Sequence, residues 1–199
     1  MTTIVAVRKN GRIAIGADSL TSFGETRVPK HYKRVHDKIL RVGESYFGIC
    51  GSSAHHLVFE SVFARTRNLK FGSRAEVYET FRKLHPLLKK HAFLNPKESD
   101  TDPYESSQID SLLVNPTGIY GVYSYREVFD YDRFWAIGSG RNYALGAMFA
   151  VYDALDNPGD IARVGVEAGI EFDKSSGAPF SIHEFRAAPQ QAKRRTGRI

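Results

Sequence analysis

The chain predicts an α+β sandwich, in which two antiparallel sheets are covered by pairs of helices. Three observations predict it. The chain opens on two apolar runs joined by an Asn-Gly turn, and neither run alternates cleanly between apolar and polar. The later segments then come in the order strands, two helices, strands, two helices, one strand. A strand that is apolar on both sides has both faces covered, here one by helices and the other by a second sheet.

The elements follow in chain order. Thr3 to Arg8 is a β-branched run, Lys9-Asn10-Gly11 turns, and Arg12 to Ala17 returns as a second strand. Leu40 to Val42, a Gly43-Glu44 turn and Tyr46 to Cys50 form another hairpin, which ends in Gly51-Ser52-Ser53. Ala54 to Arg67 and Arg74 to His91 carry apolar residues at helical spacing, namely Leu57, Val58 and Val62, then Val77, Phe81, Leu84 and Leu88. Asn95 to Ser107 has the composition of a surface loop, and no stretch marks a domain boundary. Strands resume at Ser111 to Val114, Ile119 to Ser124 and Trp135 to Ile137. Helices follow at Arg141 to Leu155 and Gly159 to Phe172, and a last strand runs from Phe180 to Arg186.

At 199 residues the chain suits one domain, expected over 1–186. No apolar run is long enough to span a membrane and no secretory leader opens the sequence, so a cytoplasmic protein is expected. The single Cys50 excludes an internal disulfide framework and agrees with a reducing compartment. The net charge of +6 suggests a nucleic-acid binder, but its distribution argues otherwise. Four of the 28 Lys and Arg (Lys193, Arg194, Arg195 and Arg198) lie in the acid-free stretch 187–199, leaving 24 bases against 22 acids. The stretch reads as a disordered solubilising tail on a nearly neutral body.

Thr2 is the candidate nucleophile. Methionine is trimmed ahead of a small residue, and loss of Met1 leaves a threonine with a hydroxyl and an α-amine in one residue. The amine, with an ordinary pKa of about 7.7–8.0 against about 10.4 for lysine, suits proton acceptance at neutral pH. Taken alone, Thr2 reads first as a small, processable second residue, since Met-Thr starts are common and most belong to ordinary proteins.

The opening Thr2-Thr3-Ile4-Val5-Ala6-Val7-Arg8-Lys9-Asn10-Gly11, followed by Ile15-Gly16-Ala17-Asp18, resembles the start of proteasome β-type subunits and their bacterial HslV-like homologues. Asp37-Lys38-Ile39-Leu40-Arg41-Val42 resembles the family's lysine strand. Gly48-Ile49-Cys50-Gly51-Ser52-Ser53-Ala54 resembles its glycine turn before the first helix. Ala136-Ile137-Gly138-Ser139-Gly140 and Asp173-Lys174-Ser175-Ser176-Gly177 resemble its Gly-Ser-Gly and Asp-x-x-Ser-Gly motifs. The resemblance implies the four-layer αββα sandwich of N-terminal-nucleophile hydrolases and a threonine endopeptidase without metal or organic cofactor. It also implies a homo-oligomeric hexameric or heptameric ring, stacked in pairs, that takes peptides or unfolded proteins from an ATP-dependent unfolding partner.

By the same resemblance, Thr2 attacks the amide carbonyl to form an ester, Asp18 orients a lysine, and the lysine eases alkoxide formation. Gly51 offers its N–H to the oxyanion, a contact worth about 2.7–4 kcal/mol. Ser139, Asp173 and Ser176 support the amine and a catalytic water. Ile49 and Ser53, flanking the glycine turn, line the substrate pocket. Read singly, Asp18 is a turn-forming acid, Gly51 a turn glycine, Ser139 and Ser176 loop serines, and Asp173 a helix-terminal acid. The family's fixed lysine spacing falls on Lys33 and Arg34, whereas strand pattern selects Lys38. Apolar periodicity fixes register better than loop length does, and Lys38 is expected. His36, His55 and His56 read as surface or helix-start residues, and Cys50 as buried packing. Two rivals stand beside the peptidase: a small-molecule amidohydrolase of the same fold, and a non-catalytic scaffold that keeps Met1.

Overall fold

The computed structural model describes residues 2–28, 30–34, 37–97, 99–102, 104–124 and 127–189. β1 (Thr3–Lys9) and β2 (Arg12–Asp18) pair antiparallel through Asn10 and Gly11, whose φ of 47° and 69° are those of a tight hairpin turn. With β10 (Phe134–Gly138) and β11 (Phe180–Arg186) they form a four-stranded sheet in the order β10-β1-β2-β11. The second sheet runs β5-β6-β7-β8-β9, from β5 (Ile39–Val42) and β6 (Ser45–Cys50) through β7 (Asp110–Asn115) and β8 (Gly118–Tyr123) to β9 (Glu127–Tyr131). A small ribbon, β3 (Thr21–Phe23) with β4 (Thr26–Val28), lies between β2 and β5 in the chain.

The strands' missing polar alternation is explained by packing on both faces. Ile4, Ala6, Ile13, Ile15 and Ala17 point between the sheets toward Leu112, Val114 and Ile119. Val5, Val7 and Ala14 point the other way, onto Met148, Ile161, Ala162 and Val166 of α3 (Arg141–Val151) and α4 (Pro158–Phe172). The second sheet's outer face, Phe47, Ile49, Leu113 and Tyr120, packs on Phe59, Phe63, Phe81 and Leu84 of α1 (Ser53–Arg65) and α2 (Arg74–His91). The layers are therefore helix pair, sheet, sheet, helix pair. Each fully buried Ile, Leu or Phe contributes roughly 1.5–3 kcal/mol, so the β1–β2 hairpin, apolar on both faces, is the best-anchored part of the molecule.

Helix starts follow local chemistry. Ser52 caps Ala54 N, and Ser73 caps Glu76 N while Glu76 Oε2 accepts from Gly72 N. Asn157 caps α4 ahead of Pro158. Two expected helices run too long. α1 stops at Arg65 because Thr66 turns extended, and its hydroxyl donates to Val62 O at 2.7 Å. α3 ends at Val151, where Ala154 N closes a tighter i→i−3 bond on Val151 O that Leu155 N shares, and the Tyr152 hydroxyl donates to Arg8 O at 2.6 Å. The sequence pattern misses β9, where Val128 is buried but Glu127, Phe129 and Asp130 are exposed. Of the expected tail, Ala187 N and Ala188 N bond to Gly11 O and Pro116 O, and 190–199 lie outside the described residues. Among the described residues no helix is long and apolar enough to cross a membrane.

Candidate active site

Thr2 precedes the first residue of β1 and is 3% exposed. The hairpin register sets Ile4 opposite Ala17, so the next pair outward brings Asp18 back beside Thr2 and Thr3. The Asp18 carboxylate is wholly buried. Oδ1 accepts from Thr3 N at 3.0 Å, from Lys38 Nζ at 2.8 Å and from the Thr2 hydroxyl, while Oδ2 accepts from Leu20 N at 3.0 Å and Gly177 N at 2.9 Å. A buried charge is tolerated only when paired and hydrogen-bonded, and five donors meet that demand.

Lys38, just ahead of β5, also donates to Thr2 Oγ1 at 2.8 Å. Lys33 does not: its Nζ donates to Ser19 O at 3.0 Å and to Thr21 Oγ1 at 2.6 Å. Burial, and then the Lys38 cation, pull the Lys33 ammonium below the ordinary lysine range against an opposing pull from Asp18. The nitrogen side is held by another network. Thr2 N donates to Ser139 Oγ at 3.2 Å, and Ser139 and Ser176 donate to Asp173 Oδ2 at 2.6 and 2.7 Å. Ser176 Oγ also bonds Thr3 Oγ1 at 2.7 Å. Burial raises the Asp173 carboxyl, but the Ser139 and Ser176 bonds outweigh it and hold it below the ordinary range.

Two glycines are sterically required. Gly138 has φ +92°, and a Cβ there would lie 2.0 Å from Thr2 O. Gly51, between β6 and α1, has φ +112°, and a Cβ there would lie 3.2 Å from His55 Nδ1. Among the described residues that buried Nδ1 has no hydrogen-bond partner, and burial lowers the imidazole's pKa. Ile49 is 5% exposed and packs in the helix-side core, whereas Ser53 is exposed at the start of α1. Cys50 is buried, and burial, ahead of the Asp110 charge, pushes its thiol up to about 12. The structure thus gathers Thr2, Asp18, Lys38, Ser139, Asp173 and Ser176 into one bonded network. Gly51 and Ser53 stand at the glycine turn, and Ile49 lies behind it.

The sequence reading of His56 needs correction: it is no mere helix-start residue, since its Nε2 donates to Lys38 O at 2.6 Å. His36 lies outside the described residues. The contact of Asp37 with Ser181 and His183 was also missed, although alternation along Phe180–Arg186 already places those two on one face.

The chain is 32% identical over 175 residues to the ATP-dependent protease subunit HslV of Thermoanaerobacter sp. (strain X514), which covers 83% of this chain and 88% of that protein. The HslV of Caldanaerobacter subterraneus subsp. tengcongensis is 31% identical over the same span. This chain belongs to the HslV family. It is accordingly a proteasome-type threonine peptidase subunit built on the N-terminal-nucleophile sandwich. Among solved structures, Thiobacillus denitrificans BPH is similar at 39% identity and a TM-score of 0.87, covering 94% of this chain and 100% of that one. The same protein in complex with epoxomicin matches at 40% identity and 0.86. HslV from Trypanosoma brucei shares the fold at 20% identity and a TM-score of 0.63. No protein-family model matches the chain. These HslV-family relatives favour neither the amidohydrolase nor the scaffold.

Proposed function

We propose that the chain is the catalytic subunit of a self-compartmentalised protease that hydrolyses peptide bonds through an acyl ester on Thr2 once Met1 is removed. The observation that carries this reading is the position of Thr2 Oγ1, bonded at once to the Asp18 carboxylate and, at 2.8 Å, to the Lys38 ammonium. The Lys38 cation stabilises the alkoxide as it develops, and Asp18 holds that cation in place. The freed α-amine of Thr2, or a water beside it, takes the hydroxyl proton as the oxygen attacks the substrate carbonyl. The Gly51 N–H receives the oxyanion. Collapse breaks the C–N bond and the proton passes to the leaving amine. A water, deprotonated in the same way, then cleaves the ester and restores Thr2. Ser139, Asp173 and Ser176 orient the amine and that water. Ser53 forms the rim of the substrate pocket, which Ile49 backs from the core.

The assembly is part of the same reading. The name of the HslV relatives, ATP-dependent protease subunit, supports an ATP-driven partner; unfolded polypeptide substrates and a cytoplasmic location complete the proposal. The helix face bearing Phe149 and the Tyr143–Phe172 ring pair is exposed, and an apolar face of that kind suits contact with another copy in a double ring of hexamers or heptamers.

The experiment is intact-mass measurement of native protein before and after treatment with a peptide epoxyketone, which needs both a hydroxyl and a free amine on one residue. Loss of one methionine and an adduct mapped to Thr2 are expected, with neither adduct nor turnover in Thr2→Ala. Peptide hydrolysis by protein that still carries Met1 overturns the mechanism.

A further inference from the structure

The functional reading uses Lys38 but does not explain what holds it. Lys38 sits between the edges of two sheets, ahead of edge strand β5 and beside edge strand β11. On its N-terminal side Asp37 is fastened to β11. Ser181 Oγ donates to Asp37 Oδ1 at 2.7 Å, and His183 Nε2 donates to Asp37 Oδ2 at 2.7 Å. Ser181 and His183 stand opposite Ala17 and Ile15, two apart on one face of β11, and so converge on a single carboxylate. Ile39 N also donates to Asp37 Oδ1, at 2.9 Å, and Ile39 is buried against the inter-sheet core. From the helix layer, His56 Nε2 donates to the carbonyl of Lys38 itself at 2.6 Å. The backbone of Lys38 is therefore tied to three layers, and its ammonium ends 2.8 Å from both Thr2 Oγ1 and Asp18 Oδ1.

Burial raises the Asp37 carboxyl, but the His183 and Ser181 bonds outweigh it and keep it below the ordinary range, so it remains an anion through neutral pH. The His183 ring is stacked on Tyr46 with centroids 5.1 Å apart, which fixes the ring that makes the bond. None of these groups touches Thr2 through any contact described above; each acts on the lysine.

We infer that Asp37, His183 and His56 are positioning residues for the reaction, forming a clamp between the sheets that sets the distance from the Lys38 ammonium to the Thr2 hydroxyl. This rests on the reading of Thr2 as nucleophile and Lys38 as its activating cation. A lysine on a flexible four-carbon stem is a point charge whose effect depends on where its backbone is held. A misplacement of about 1 Å at a reacting centre costs up to 10²-fold in rate.

The test is the time course of Thr2 labelling by a peptide epoxyketone, resolved into a maximal inactivation rate and a half-saturating concentration. In full-length His56→Ala and His183→Ala the maximal rate is expected to fall about tenfold while the half-saturating concentration holds. His56→Gln and His183→Gln, whose amide reaches the place of Nε2, should recover the rate to within about threefold. A merely structural role would change melting temperature without that rescue. If the alanine variants do not fold, His56→Asn and His183→Asn replace them, since the shorter amide cannot reach the same partner. Wild-type labelling with equally fast labelling of the variants, or a loss that glutamine does not restore, overturns the clamp alone. A wild-type protein that takes no probe on Thr2 overturns both this inference and the function it rests on.

Discussion

Replacing Lys38 with alanine removes the ammonium that, among the described residues, the structure sets against the Thr2 hydroxyl. At 2.8 Å and an effective dielectric of about 20, a full alkoxide and an ammonium attract by about 6 kcal/mol. With roughly half the charge developed in the transition state, about 3 kcal/mol of that acts on the barrier, or about 10²-fold in kcat. The Lys38 side chain is 17% exposed, so water does little to replace it. KM should change little, because the ammonium meets the reacting oxygen and not the substrate's flanks. The matched control is Lys33→Ala, expected within about threefold of wild type, since Lys33 bonds Ser19 O and Thr21 Oγ1 instead. Steady-state hydrolysis of a short fluorogenic peptide reads both variants, with melting curves to verify folding. Should Lys38→Ala keep more than about a tenth of kcat while Lys33→Ala loses the activity, the assignment of the lysine is wrong.

Gly51→Ala adds a side chain at φ +112° and 3.2 Å from His55 Nδ1, and should lower stability by about 1–3 kcal/mol, read as a fall in denaturant midpoint, together with a loss of kcat. Asp173 is held below its ordinary range, so its contribution to stability is complete above about 3.9 and is lost as the pH falls through its lower folded value. The acid side of a melting-temperature profile should accordingly be flatter in Asp173→Asn than in wild type. Cys50 should resist iodoacetamide at pH 8 in the native protein and react on unfolding, because its buried thiol is pushed up to about 12; mass spectrometry counts the adducts.

Much of this was legible in the sequence where local rules decide. Asn10-Gly11 fixes the first hairpin, and the hairpin register alone brings Asp18 to Thr2. Strand pattern selected Lys38, the lysine whose Nζ meets Thr2 Oγ1, where loop counting pointed to Lys33. Ser139, Asp173 and Ser176 came into view through ordered motifs, because nothing in their spacing reveals that they share a carboxylate. The Asp37 contact escaped because its partner His183 lies 146 positions away on a strand of the other sheet. His56 escaped because its role depends on how α1 sits over β5. β9 escaped because an edge strand with three exposed residues and one buried valine carries too little apolar pattern to stand out.

Thr2 N bonds to Ser139, 137 positions further on, and the carboxylate holding its hydroxyl is bonded by Gly177 N, 159 positions beyond Asp18. A chain still emerging from the ribosome has made neither link, even when its first hairpin has formed. Under the proposed mechanism, the set of bonds around the attacking group is therefore complete only once the chain has been made as far as Gly177.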